Sequence, residues 1–261
     1  MSTGRVKTLV IAALVIINMF FLTFIVWGRV SDSVQNRRTL EDISGILGQN
    51  GVTVNADDMH SGPLLYEADI LRDAGRERAI AAALLSDVTQ SDPGGSISRF
   101  ESRTGSAVFS GTGEFTIELE GDEYPSNGNA PGVAKRLLRA MDMQYMEIES
   151  AQGGAGENVT AMVTHNGAGI FNCRIDFLFE NGVLRQVRGR CPTGIKYPAD
   201  GSAQKTAPTA MMEFLSDVIS GNITCSIVTD VRSGYNAQFE IFSGKLIPVW
   251  RIVTDNGTYY Y

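Results

Sequence analysis

Histidine and cysteine are scarce in this chain of 261 residues, which holds two histidines and three cysteines. Neither His60 nor His165 has a second ligand at the spacing that zinc enzymes use, and no two cysteines form a C-x-x-C pair. The nucleophile elbow, the phosphate-binding loop and the kinase signature are also missing. These absences point away from metal, nucleophilic and phosphoryl-transfer catalysis, although a mechanism based only on carboxylates stays open. We predict no catalytic site, no metal site and no cofactor.

Basic side chains are also in the minority, with 22 Lys and Arg against 29 Asp and Glu and a net charge of −7. A chain with this balance lacks the excess of cations with which proteins neutralise phosphate backbones. We therefore predict no nucleic-acid partner, and no motif indicates a small-molecule substrate.

One long apolar run lies near the start of the chain. Residues 8–27 carry no charge, and at about 1.5 Å rise per residue a helix of this length spans roughly 30 Å, the thickness of a bilayer core. We predict a single-pass membrane protein with a cytoplasmic tail (1–7), a transmembrane helix (8–27), a linker (28–36) and an extracytoplasmic remainder. The alternative is a cleaved signal peptide, whose apolar region would be shorter and followed by small residues.

Asn18 is the one polar amide in the middle of this run. An amide in hydrocarbon favours a hydrogen bond to a neighbouring helix, so we predict a helix contact face around it. Side chains at three- and four-residue spacing share that face. They are Leu14, Ile17, Phe21 and Leu22. The alternative is that the Asn18 amide bonds only to its own backbone.

Helical and strand patterns alternate beyond the linker, which predicts an α+β fold of repeated helix-plus-antiparallel-meander units. The predicted helices are 37–47, 74–88, 133–143 and a fourth that begins after an N-cap at Thr206. Short strands are predicted at 96–102, 105–110, 114–120, 159–165, 169–180 and 183–191, with an antiparallel meander after the fourth helix. We predict two extracytoplasmic domains, 37–125 and 126–261.

Cys173 and Cys191 flank a predicted hairpin with Asn181–Gly182 at its turn. A register slipped by one residue from the simple two-residue turn pairs apolar with apolar side chains, at the cost of a bulge or a longer loop. It makes three opposed pairs: Cys173 with Cys191, Phe177 with Val187, and Asp176 with Arg188. We predict this register and a Cys173–Cys191 disulfide, worth about 3 kcal/mol. The alternative is two neighbouring buried thiols.

The slipped register also places Arg174, Arg188 and Arg190 on the outward face of the hairpin. On an acidic protein, three arginines on one face are a candidate patch for an anionic partner surface. The alternative is an ordinary solvated strand face.

Three stretches resemble the YycI/YycH family of regulatory proteins: the apolar run with its internal Asn in "INMFFL", the segment "QNGVTV", and the ending "KLIPVWRIVTDNGTYYY". The length is closer to YycI, and residues 205–261 are similar to a PepSY-type unit. The resemblance implies a non-catalytic accessory protein of a cell-wall two-component system, with a sensor histidine kinase and a YycH-like sister protein as partners. PepSY-type domains also suggest an alternative, a peptidase inhibitor or propeptide-type binding module.

Overall fold

The computed structural model describes residues 18–19, 37–54, 59–60, 64–91, 94–154, 156–198 and 201–261. In this part of the chain 47% of the residues are in strands and 23% in helices. The strands join into one mixed sheet of 15 strands. The predicted fold class, a transmembrane helix followed by repeated helix-plus-meander units, is therefore wrong.

The predicted membrane anchor is contradicted as well. None of the helices among the described residues is long and apolar enough to cross a membrane, which overturns the predicted single-pass topology and cell-membrane localisation. Within the predicted span, Asn18 and Met19 are described, as helical and exposed residues. The other predicted contact residues, Leu14, Ile17, Phe21 and Leu22, lie outside the described residues.

Four described helices and 15 strands follow one another along the chain. The helices are α1 (37–49), α2 (Ala74–Leu84), α3 (Ala130–Ala140) and α4 (Ala207–Ile219). The first strands are β1 (Thr53–Val54), β2 (Met59–His60), β3 (Ala68–Leu71), β4 (Thr89–Ser91), β5 (Ile97–Ser102), β6 (Gly105–Ser110) and β7 (Glu114–Leu119). The remaining strands are β8 (Tyr145–Gly153), β9 (Gly156–His165), β10 (Ala168–Glu180), β11 (Val183–Arg190), β12 (Gly194–Lys196), β13 (Ile227–Phe239), β14 (Ser243–Thr254) and β15 (Thr258–Tyr260).

The chain forms two compact units, each assembled from separate stretches of sequence, whereas the predicted domains are continuous. The first unit contains α1, β1, α4 and residues Val253–Gly257. Thr206 caps α4 as predicted, since its side chain accepts a hydrogen bond from the Thr209 N–H at 3.4 Å. Strand β1 pairs in parallel with residues 227–228 at the start of β13. Apolar side chains buried in this unit include Leu47, Val52, Met211, Phe214 and Val228.

The second unit contains most of the sheet. Eight antiparallel strands lie side by side in the order β4-β5-β6-β7-β11-β10-β9-β8. On one side of this sheet, fully buried side chains line up across six strands, and we call this side the covered face. Its central row is Phe100, Ala107, Ile117, Val187, Phe177 and Val159. Helices α2 and α3 contribute Ile80, Leu84, Leu137 and Leu138 to the same hydrophobic core.

Strand β10 explains why the predicted repeats merge. It pairs with β9 along one edge, while its other edge pairs with β11 and, at Gly169 and Ile170, in parallel with β13. The parallel contact is very close, because a Cβ on Gly234 would lie 2.4 Å from the Phe171 ring and 2.6 Å from the Gly169 carbonyl oxygen. Residue 234 must therefore be glycine. Because of this close pairing, β13 is part of the same sheet as the preceding meander.

Candidate functional site

The β10–β11 hairpin has the predicted register. Phe177 lies opposite Val187 and Asp176 opposite Arg188, and a bulge between Leu178 and Phe179 absorbs the one-residue slip. The two turn residues both have positive φ, 50° at Asn181 and 77° at Gly182, as a type I′ turn requires. The hairpin therefore combines the tight turn with the register that keeps its apolar side chains together.

Cys173 and Cys191 are both buried, and both carry free thiols in the structure. Burial raises the pKa of both thiols, that of Cys191 to about 12, and the neighbouring Cys191 raises the pKa of Cys173 further. The thiols are thus close to each other in the core of the second unit. The Cys173–Cys191 disulfide stays a prediction.

The side of the sheet opposite the covered face is polar, and we call it the open face. Most of its side chains are exposed or half-buried, with Met162, opposite Arg174 on β9, as a buried exception. The central row of this face, read across the strands from β5 to β8, is Arg99, Val108, Thr116, Arg188, Asp176, Thr160 and Glu149. Because side chains alternate along each strand, every strand that supplies a core residue also supplies a residue to this surface.

Hydrogen bonds and ion pairs link neighbouring strands across the open face. The Thr160 hydroxyl donates to the Asp176 carboxylate at 2.7 Å, and the Arg188 guanidinium lies 3.6 Å from the same carboxylate. In the next row, the Gln186 amide donates to the Glu118 carboxylate at 2.6 Å. The open face is therefore an ordered array of charged and amide groups held by a rigid sheet.

The three predicted patch arginines all lie on the open face, but their surroundings differ. Arg190 donates to the Thr112 carbonyl at 3.1 Å and lies over the Phe239 ring, 4.3 Å from its centroid. Arg174 is exposed, and no ion pair holds it among the described residues.

Acidic side chains lie beside these arginines on the neighbouring strand β7. Glu114 lies opposite Arg190 on β7, and Glu118 follows it on the same strand. The three arginines on β10 and β11, which we call the basic centre, thus have Asp176 among them and acidic side chains on one side, so the surface is not continuously basic.

A second charged cluster, which the sequence did not indicate, lies in the same unit. Glu147 contacts Arg232 at 2.9 Å and Arg251 at 3.3 Å, and Arg251 also contacts Asp230 at 2.9 Å. Glu147 has a φ of 51° at a bulge in β8. This left-handed conformation is uncommon for glutamate, so the sequence does not predict it. The Arg251 guanidinium is stacked 4.7 Å from the Phe171 ring centroid. Opposite charges balance in this cluster, which indicates a structural link between β8, β13 and β14.

Among the residues that the structure describes, no group of three or more His, Cys, Asp or Glu side chains could hold a metal ion. No protein-family model matches the chain, and a comparison with curated proteins also finds no match.

Proposed function

We propose that this chain is an accessory regulatory protein that acts by contact, binding a sensor histidine kinase through the open face and changing its activity. The proposal combines the resemblance to the YycI/YycH family with the geometry of the second unit. A YycH-like sister protein is the second partner that the resemblance implies. No membrane anchor enters this proposal.

The observation that carries the proposal is the basic centre of the open face. Arg188 has 64% of its side chain exposed, and Arg174 is also exposed without an ion pair among the described side chains. The pairing of β10 with β9 holds Arg174 and its pairing with β11 holds Arg188, so binding would require little ordering of the backbone. Charges arranged in this way contribute to the rate and specificity of association more than to the stability of the fold.

The test is kinase autophosphorylation with the full-length chain. Each sensor histidine kinase of the bacterium that encodes the chain is incubated with radiolabelled ATP, with and without the protein. We expect the rate to change for one kinase, and the double variant Arg174→Glu/Arg188→Glu to lose the effect because it presents acidic groups to an acidic partner site. Binding should weaken by at least about tenfold, which corresponds to a cost of about 1.4 kcal/mol.

The matched control is Lys135→Glu, the same change of charge at an exposed position on α3, in the helical layer. It should regulate as the wild type does. Equal regulation by the double variant and the wild type, or no response from any kinase, would contradict the proposal. Inhibition of a secreted peptidase without any effect on a kinase would instead favour the PepSY-type alternative.

A further inference from the structure

The second unit contains a cleft of about 350 Å³, separate from the open-face arginines. Its walls come from five segments that are distant in sequence: α2, the loop after α3, the β9–β10 turn, the start of β10, and the connection from β11 to β12. This volume is at the lower end of the range for small-molecule sites, which suits a ligand of about 10 to 15 non-hydrogen atoms.

Apolar and polar side chains both line the cleft, and polar atoms make up the larger part of its exposed surface. Ile80 and Ile170 are fully buried side chains that line it, together with Val163 and Ile195. The polar groups that line it are Arg76, Asp142, Gln144, Thr164, His165, Asn166 and Thr193. A ligand that fits this lining has an apolar body and a polar end.

The polar lining is held in place by its own hydrogen bonds. The Arg76 guanidinium donates to the Met141 carbonyl at 2.8 Å, at the C-terminus of α3. The Thr193 hydroxyl accepts from the Asp73 N–H at 3.0 Å, and the Thr164 N–H donates to the Gln144 carbonyl at 2.9 Å. These bonds do not use the Thr193 hydroxyl proton or the Gln144 side chain, which can therefore bind a ligand. Because the bonds already hold the lining in place, the cleft does not need to reorganise before binding.

His165 supplies a directed donor. Its ring stacks on Tyr197 with centroids 5.8 Å apart, and its Nε2 lies 3.3 Å from the Asn166 amide nitrogen. Because an amide nitrogen can only donate, we assign Nε2 as the acceptor and place the proton of the neutral ring on Nδ1. Burial lowers the pKa of His165, which favours this neutral form. The Nδ1–H has no partner among the described residues.

We propose that this cleft binds a carboxylate attached to an apolar body, either a free organic acid or the last residue of a peptide. Arg76, His165 and Thr193 are hydrogen-bond donors that line the same cleft. The one carboxylate, that of Asp142, already contacts Arg76 at 3.2 Å and has 91% of its surface exposed. A carboxylate can accept hydrogen bonds from Arg76, His165 and Thr193, and its bond to the Arg76 guanidinium joins two full charges.

The experiment is calorimetric titration of the full-length protein at pH 7.5 with three probes of the same shape: 4-phenylbutanoate, 4-phenylbutanamide and 4-phenylbutylamine. We expect the acid to bind at least about tenfold more tightly than the amine, with the amide between them, because only the acid brings a full negative charge to the Arg76 guanidinium. The variant Arg76→Met should weaken binding of the acid by about tenfold or more.

A second variant keeps the test valid if Arg76→Met fails to fold. His165→Phe retains the ring that stacks on Tyr197 but removes the Nδ1–H, and it should weaken binding of the acid by about threefold. The control Arg78→Met removes an exposed arginine from the same helix and should leave binding unchanged. Equal binding of the acid and the amine, or wild-type binding by both cleft variants, would overturn the proposal.

Two further probes distinguish the sources of the carboxylate. Tighter binding of the peptide Ala-Ala-Ala-Phe than of N-acetylphenylalanine would indicate a peptide C-terminus, and the reverse order would indicate a free acid. These titrations contain no kinase, so their outcome is independent of the proposed contact function.

Discussion

The covered face and the open face of the second unit are made by the same strands, yet their side chains differ in burial. In the covered row, Phe177 and Ile117 are fully buried. On the opposite, open face, Asp176 and Thr116 directly precede these residues along the same two strands and are half-buried. The difference teaches that burial on one side fixes the positions of the strands, so the side chains on the other side can vary without loss of the core.

The largest expected difference between buried and exposed positions is in the rate at which cysteines are alkylated. Burial raises the pKa of Cys191 from 9.0 to about 12, so its thiolate is about a thousandfold rarer at pH 8 than in an exposed cysteine. We expect iodoacetamide to label Cys173 and Cys191 far more slowly than a reporter placed on the open face by Glu118→Cys. Mass spectrometry of the labelled native protein measures the rates.

The same shift makes the fold sensitive to alkaline pH. The unfolded state loses the Cys191 proton at about pH 9, whereas the folded state keeps it until about pH 12, so the free energy of unfolding falls as the pH rises between these values. If labelling in denaturant without reductant also fails at Cys173 and Cys191, the predicted disulfide is present instead and the free thiols are excluded.

The hydrophobic row gives the next largest effect. Phe177→Ala removes a fully buried ring from the centre of the covered face and should lower the free energy of unfolding by about 3–5 kcal/mol. The control is Leu178→Ala, one residue further along β10 on the open face and only partly buried, for which we expect about 1 kcal/mol or less. Urea titration followed by circular dichroism measures both, and equal losses would contradict the two-face description.

Breaking the buried ion pair between Arg72 and Glu77 should cost more stability than breaking an exposed ion pair on the open face. Arg72 binds Glu77 in two places, at 2.7 and 2.9 Å, and the Glu77 side chain is only 2% exposed. Glu77→Leu leaves Arg72 without its counter-charge and should cost about 3–5 kcal/mol. The double variant Arg72→Met/Glu77→Leu should recover most of that loss, as measured by the same urea titration. A double variant no more stable than the single one would show that the charge is not the cause.

The exposed pair provides the smallest effect. Arg188 and Asp176 form an ion pair of 3.6 Å in which Arg188 is mostly exposed. A double-mutant cycle with Arg188→Ala and Asp176→Ala should give a coupling energy of about 0.2–1 kcal/mol that decreases in high salt. A coupling as large as that of Arg72 and Glu77 would mean that the open face contributes to stability and is less free for binding.

Local patterns in the sequence predicted the parts of the fold that neighbouring residues determine. Thr206 was identified as an N-cap because its hydroxyl precedes an apolar helical stripe. The slipped register of the β10–β11 hairpin followed from pairing Phe177 with Val187, because a shift of one residue would place them on opposite faces. Strands β5, β6 and β7 were also located within one residue of their observed ends.

The order of the strands was not predictable in the same way. Strand β7 pairs with β11, and β10 pairs in parallel with β13, although long stretches of chain separate them. Nothing in a short window indicates such partners, so the repeated helix-plus-meander pattern suggested independent units. Strand β8 was missed because its exposed, glutamate-rich sequence lacks a buried side and resembles a loop.

The cleft could not be found from sequence for a related reason. In the sequence, His165 has no second ligand at zinc-site spacing, and Arg76 lies within the predicted helix 74–88 without any distinguishing motif. Each has an ordinary environment in the sequence, and they line the same cleft only after α2 and the β9–β10 turn have come together. Their proposed role depends on tertiary distance, which no local spacing encodes.

The pairing of β3 with β14 has a consequence for how the protein is made. Ala68 and Leu246, which face each other in this pair, are 178 residues apart in sequence. During synthesis the early strand emerges long before its neighbour, and ribosomes add only about 5–20 residues per second. For that interval β3 has an unsatisfied edge, and contacts between such distant segments form slowly. We therefore expect the nascent chain to depend on chaperones until residues 243–246 have been translated.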